Sequence, residues 1–434
     1  MKHILTRFTA IGTGAILFSV WPVQARNDYY TANFYSRGTD AASDIDRGDD
    51  EFEPFYIPVT DWSILPRVTL TATRDDNLFL DAQGTEDGTV VDLIPGVMAI
   101  YGRPDHNHLY ADYGSIIPLY NSSDLLDDNP SHMLTLGGVY QTGKSQIQGR
   151  AGYRRLESLN TLVGARILKE DWIGDVEVEH RLTSKSSASI VGAVELHEFD
   201  DPEYVDYQRT YGAGRFYHRM TARSEAFVQG GVGRDDLDTK PDDFGDADFF
   251  DLSVGVRGKP SPKTSASGRV GHMWRKMDSA ELNDVDDWIA SLAGEANPFG
   301  LTTFSTELYS DIRPAINSAG STTIDQRLSV GLMRRLFTER LRGNASVFLG
   351  VTDYQGPVAA PARFSESDPL VYDGREDQYW GYALGLDWWA QKNLSFGLAY
   401  SYVQNEGSQE TGSESTDRTS YDSGRWTFRT SWNY

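Results

Sequence analysis

RWTFRTSWNY, residues 425–434, closes the chain with its aromatic side chains on one parity. Trp426, Phe428, Trp432 and Tyr434 fall on even positions, while Arg425, Thr427, Arg429, Ser431 and Asn433 fall on odd ones. A β-strand sends successive side chains to opposite faces, so this segment reads as a strand with one greasy face and one polar face. The half-buried edge of a soluble sheet and the wall of a membrane barrel both fit, and the rest of the chain separates them.

From Pro66 onward the same period of two holds almost everywhere. In WGYALGLDWW (380–389), Trp380, Tyr382, Leu384, Leu386 and Trp388 oppose Gly381, Ala383, Gly385 and Asp387. In NLSFGLAYSY (393–402), Leu394, Phe396, Leu398, Tyr400 and Tyr402 oppose Ser395, Gly397, Ala399 and Ser401. Helical i, i+3, i+4 spacing explains neither. About eighteen such segments (16–18) can be counted, from 66–76 through 145–155 and 169–183 to 420–434. Their connections alternate in length. GRPDH, GKS, SKSS, HRMT, PSPK, NPFG, TER and QK are short; LESLNTLVGARIL, DLDTKPDDFGD and QGPVAAPARFSESDPLVYDGR are among the long ones. Tight turns at one rim and long loops at the other are the pattern of an outer-membrane barrel. The expected fold is therefore all-β: a transmembrane antiparallel up-and-down barrel over 65–434, with both chain ends in the periplasm. Its closing strand turns Trp426, Phe428, Trp432 and Tyr434 to lipid, where amphipathic rings favour the headgroup boundary. A terminal aromatic also resembles the C-terminal assembly signal of outer-membrane barrels.

Composition sets further bounds. The 434 residues carry 63 acids against 40 bases, a formal charge of −23. No basic surplus exists to neutralise phosphates, so nucleic acid is not an expected partner. Cysteine is absent, which removes disulfides and thiolate metal sites. Residues 1–25 show a basic start, an apolar run and a small-residue end before Arg26, the layout of a secretory signal peptide. Residues 26–64 are acidic and aperiodic, and read as an irregular periplasmic segment or partial plug.

A barrel of this size leaves an aqueous lumen. Charge on the lipid face costs on the order of 2–4 kcal/mol for Arg or Lys at mid-bilayer, so charged residues on the polar parity should face that lumen. The pore-lining candidates are Glu177, Glu179, Arg181, Glu195, Arg257, Arg269, Arg275, Glu307, Arg327, Arg342, Asp387 and Arg429. They serve either a polar solute or ion pairs that stiffen the wall. Asp235, Asp236, Asp238, Asp242, Asp243, Asp246 and Asp248 read as one acidic loop, solvated or cation-binding. GVYQTGKS (138–145) matches the P-loop letter for letter, but QIQGRAGYRRL after it alternates as a strand, so Gly143 and Lys144 read as hairpin-turn residues and nucleotide is not expected. His106 and His108 share a strand face without a third ligand. No G-x-S-x-G or H-E-x-x-H occurs, and neither a metal nor a cofactor is expected.

SILPRVTLTATRDDNLFL (63–80) and VVDLIPGVMAIYG (90–102) resemble the first two strands of a family of outer-membrane β-barrel porins, whose first strand opens P-x-L-x-L (here PRVTL, with Val68 at the first leucine) and closes on Asp-Asp-Asn, and whose second has a central proline. The resemblance extends over about 60–434. Members of this family often accompany exopolysaccharide export systems, so it implies a non-enzymatic conduit for a secreted polar polymer. The implied partners are outer-membrane lipid and lipopolysaccharide, the barrel assembly machinery and polysaccharide export components. A general diffusion porin and, from another class, a lipid-modifying hydrolase or a scaffold with acidic loops are the alternatives.

Overall fold

In the computed structural model the alternating segments close into one ring. The structure describes residues 55–56, 62–78, 87–103, 106–121, 130–160, 165–201, 204–239, 244–316, 321–338, 340–356, 375–408 and 420–433. The expected leader, most of the acidic segment 26–64, Asp242, Asp243 and Tyr434 lie outside them.

A two-residue strand, β1 (Phe55–Tyr56), precedes β2 (Trp62–Asp75), β3 (Gly88–Gly102), β4 (His108–Asn121), β5 (Ser131–Gln141), β6 (Ser145–Asn160) and β7 (Ala165–Arg181). There follow β8 (Ser186–Phe199), β9 (Tyr207–Arg219), β10 (Ser224–Leu237), β11 (Ala247–Ser261), β12 (Thr264–Met277) and β13 (Val285–Ala296). The last six are β14 (Thr302–Pro314), β15 (Thr322–Leu336), β16 (Leu341–Gln355), β17 (Glu376–Trp389), β18 (Leu394–Ser408) and β19 (Tyr421–Asn433). Each of β2 to β19 pairs antiparallel with its sequence neighbours. The ring closes where β19 meets β2, from Arg425↔Asp75 to Asn433↔Arg67. Eighteen strands form the barrel, and closure leaves no unpaired edge to face lipid. Where β19 ends, β1 takes up the free edge of β2, pairing Phe55↔Ile64 and Tyr56↔Ser63.

The expected alternation is realised as an inside and an outside. Val228, Val232, Leu252, Val254, Val270, Leu384, Leu398, Trp426 and Phe428 are all exposed, on the outer face. No water-soluble sheet displays so continuous an apolar surface. Trp388 pairs with Phe396 near the short turns, and Phe250, Trp274 and Trp288 gather toward the other rim, as aromatic girdles do.

Three of the short turns share one chemistry. In TGKS (142–145), TSKS (183–186) and TARS (221–224) the threonine N–H donates to the carbonyl of the serine three residues on, at 2.7, 3.0 and 3.1 Å. The threonine hydroxyl accepts from Ser145 N and Ser186 N in the first two, and from Arg223 N in the third. Such local bonds make serine and threonine turn formers. The P-loop look-alike is one of these hairpins. At the turn after β3, Gly102 has φ 90°, and a Cβ there would lie 2.4 Å from the Asn107 carbonyl oxygen; only glycine fits.

The structure corrects three expectations. LESLNTLVGARIL is not a long loop: β6 and β7 run on as a ribbon to Asn160↔Ala165. Its inward residues there, Leu156 and Ile167, are apolar and buried, which breaks the polar-inside pattern read from sequence. Asp235 and Asp236 belong to β10 and Asp248 to β11, not to a loop. His106 lies in the turn before β4, so it shares no strand face with His108.

Candidate functional site

Ion pairs that span neighbouring strands organise the lumen. On the β7–β11 wall Glu177 accepts from Ser189 Oγ at 2.7 Å, Gln148 Nε2 at 3.0 Å and Tyr217 Oη at 3.1 Å, with Arg215 at 3.3 Å. Arg257 bridges Glu179 at 2.8 Å and Glu225 at 3.0 Å, and its guanidinium lies 3.7 Å from the Tyr217 ring centre. Tyr211 on β9 donates to Asp251 on β11 at 2.6 Å, over Gly231 of β10. A Cβ at Gly231 would stand 2.2 Å from the Tyr211 hydroxyl. Asp387 on β17 likewise meets Arg429 on β19 over Gly397 of β18, where a Cβ would stand 2.6 Å from Asp387 Oδ1. These glycines are clearances for bonds that skip a strand.

Nearer the long connections the lumen is filled. Arg209 donates to Asp235 at 2.6 and 2.9 Å, and Arg275 lies 3.3 Å from the same carboxylate; Asp235 and Arg275 have no side-chain exposure. Two buried guanidiniums thus share one buried carboxylate, an arrangement that tolerates no missing member. Above it Ile167, Val205, Tyr207, Leu237, Phe244, Ala247, Met277, Leu282 and Ile316 form an apolar core. The carboxyl of Asp206, in the connection between β8 and β9, is pushed up by burial, against the hydrogen bond it accepts from Phe199 N.

The end of the β14–β15 hairpin supplies part of that filling. Pairing between β13 and β14 stops at Ala290↔Ser310, although β13 continues to Val285. Beyond this point Ile312 and Ile324, on the outward parity of their strands, are buried against the inward residues Phe249, Met273 and Ile289. The hairpin end has left the wall and lies across the inner face of β11–β13. Polar ties hold it there: Arg209 Nη2 to Ile312 O at 2.9 Å, Arg275 Nη1 to Thr322 Oγ1 at 2.8 Å, Arg313 to Glu195 at 3.1 Å and Val205 N to Ile316 O at 2.8 Å.

What stays open lies beside this obstruction. Away from the strand ends, the lumen-facing residues exposed to water among the described residues are Ser291, Ser305, Met333, Asn344 and Ser346, all on β13–β16. Glu307 and Arg327 flank this lane; the Arg327 guanidinium lies 4.5 Å from the Phe348 ring centre. Arg342 stacks on Trp389 at 4.4 Å. Arg269 pairs in register with Ser291. Tyr379 and Phe348 are buried wall packing, with Tyr379 and Thr352 donating to Asp325 at 2.9 Å each. Of the sequence-selected residues, Arg181 alone is exposed at the end of its strand, outside these networks. Sequence reasoning missed Arg209, Arg313 and the exposed serines; extending the parity of β10 by one pair would have found Asp235.

Two Ser–His contacts occur on the outer face near the short turns, Ser145 Oγ to His180 Nδ1 at 2.8 Å and Ser186 Oγ to His218 Nδ1 at 3.4 Å. Among the described residues no carboxylate contacts either imidazole, so neither has the third group that orients a catalytic base. No trio of His, Asp and Glu able to hold a metal ion occurs among the described residues.

A closed eighteen-stranded barrel with an apolar exterior and a charged, water-reached interior is a channel protein of the outer membrane. A family model described as "Putative beta-barrel porin 2" matches residues 50–421; the chain belongs to this β-barrel porin family. No curated protein matches it. Among solved structures it is similar to the outer membrane protein OpdK of Pseudomonas aeruginosa, at 11% identity over 86% of this chain and 99% of that one, with a TM-score of 0.42. It is also similar to the outer membrane channel DcaP of Acinetobacter baumannii, at 10% identity over 88% and 100%, TM-score 0.42. A third is OccK2 (OpdF) of Pseudomonas aeruginosa, solved in complex with glucuronate, at 11% identity over 85% and 98%, TM-score 0.42.

Proposed function

We propose that the protein is a non-enzymatic, size-restricting channel for polar solutes, with its short turns and chain ends in the periplasm. The observation that carries this reading is the inturned β14–β15 hairpin beside a lane of exposed Ser291, Ser305, Met333, Asn344 and Ser346 on β13–β16. A wall filled on one side and wet on the other passes solutes in single file and admits few contacts with bulky ones. Planar bilayers containing the purified protein should show discrete conductance steps. Replacing Arg313 by Ala, which cuts the tie to Glu195, should enlarge them. A protein that inserts and never conducts would contradict the proposal.

A second reading gives the same lane to an exported polysaccharide strand. It is supported by the resemblance to porins that accompany export systems, and the three hydroxyls and one amide that share the slot with Met333 suit a hydroxyl-rich polymer. Deleting the gene should then abolish surface polysaccharide while uptake of small solutes stays normal. The reverse pattern would leave the small-solute channel. The aromatic C-terminal strand is, in either case, the proposed signal to the barrel assembly machinery, and the outer girdles the proposed contact with lipid and lipopolysaccharide.

A further inference from the structure

We propose that the water-reached lane on β13–β16 is selective for hydroxyl-rich anions, first of all sugars bearing a carboxylate, and that Arg269 and Arg327 set this preference. The inference rests on the channel reading above and names the solute class of its lane.

Register places the two arginines on one line of paired residues across the strands. Arg269 on β12 pairs with Ser291 on β13, Ser291 with Tyr309 on β14, and Tyr309 with Arg327 on β15. Three strand spacings separate the arginines, roughly 14 Å between backbones, and the residue between them that water reaches is Ser291. Their situation differs from that of five other lumen guanidiniums. Arg209, Arg215, Arg257, Arg313 and Arg429 each meet a carboxylate within 4.0 Å. Among the described residues Arg269 and Arg327 meet none at that distance.

The neighbouring acids are already engaged. Asp311 accepts from Arg313 at 2.8 Å, and Asp325 accepts from Tyr309, Tyr379 and Thr352. Glu307, one pair nearer the short turns, is the acid left to face Arg327. The ring of Phe348 fixes the guanidinium of Arg327 from one side, and its Nε is buried without a hydrogen-bond partner. A planar fork held in this way matches a carboxylate in two-point contact. Ser291, Ser305, Ser346 and Asn344 then offer donors and acceptors to sugar hydroxyls along the lane. A solute that carries both groups satisfies both sets; a neutral sugar leaves the arginines unused, and a cation meets them head on.

The test uses the full-length protein in planar bilayers under a KCl gradient, with galacturonate and galactose as probes. The reversal potential should show anion preference, and millimolar galacturonate on one side should block current where galactose does not. Arg269→Gln and Arg327→Gln should each lower the anion-to-cation permeability ratio at least about fivefold, the factor that one charge at about 4 Å in a water-like medium exerts on a single ion, and should relieve block. Ser346→Asp, which leaves both arginines in place, should lower the same ratio. A wild-type channel that conducts with cation preference, or selectivity indifferent to all three substitutions, would overturn the inference. Absence of any conductance in the wild type would overturn the channel reading instead.

Discussion

Replacing Asp235 by Ala isolates the most demanding interaction in the lumen. Arg209 makes two bonds to this carboxylate and Arg275 approaches it at 3.3 Å. Both arginines are deeply buried, so the substitution leaves Arg275 without this carboxylate and Arg209 with only Asp311, at 3.9 Å, where water cannot reach. Breaking a buried pair in this way costs about 3–5 kcal/mol. Asp236 is the internal control: it sits one residue on, faces outward and is 46% exposed, so Asp236→Ala should cost about 0–1 kcal/mol. Urea unfolding in lipid vesicles, followed by tryptophan fluorescence, measures both. Because Arg209 and Arg275 also hold Ile312 and Thr322, Asp235→Ala should widen the distribution of single-channel conductances as the hairpin end loosens. Combining it with Arg209→Met and Arg275→Met should restore much of the stability, since apolar side chains of similar volume replace buried ions at little cost. An Asp235→Ala protein within about 0.5 kcal/mol of wild type, the range of ordinary surface substitutions, would refute the reasoning.

Gly397→Val places a side chain where Asp387 crosses to Arg429, and loss of that charged hydrogen bond should cost about 1.5–3 kcal/mol, seen as a lower temperature of unfolding in SDS gels. Leu398→Arg, on the opposite face of the same strand and 48% exposed, should cost on the order of 2–4 kcal/mol in lipid if it lies near the bilayer midplane. The same substitution should cost little if that face met water. Removing Trp432, Asn433 and Tyr434 should reduce the amount of folded barrel recovered from outer membranes, with the remainder accumulating unassembled.

Much of the barrel was legible because one physical rule acts on most of the chain. Hydrocarbon selects apolar residues at every second place, and the lumen selects polar ones between them. WGYALGLDWW and NLSFGLAYSY, for instance, follow that alternation and form the body of β17 and β18. The rule stops where the bilayer stops. In the outer parts of β7, β10 and β12 the inward residues Ile167, Leu237 and Met277 belong to one buried apolar cluster, so the sequence there resembles a soluble core, and the stretches that hold Ile167 and Leu237 read as loops. Parity put the charged candidates on one face of their strands, but their partners were not legible from it. Parity says which face Glu177 or Arg257 occupies, whereas contacts across two strands depend on strand shear and on glycines such as Gly231 that clear the way. The inturned hairpin was invisible for a related reason: Ile312 and Ile324 look like lipid-facing residues and instead cover the inner face of β11–β13.

The central claim is that β2 to β19 have one face in hydrocarbon and the other around water. The chain has no cysteine, so single cysteines can be placed one at a time along β18 from Leu394 to Ser401 without removing any. Each would be reacted, in lipid vesicles, with a charged thiol reagent and with a lipid-dissolved spin label. The account predicts strict alternation: Leu394, Phe396, Leu398 and Tyr400 positions in contact with the lipid probe, and Ser395, Gly397, Ala399 and Ser401 positions shielded from it. Equal contact with the lipid probe at neighbouring positions, or uniform labelling by the charged reagent, would contradict it.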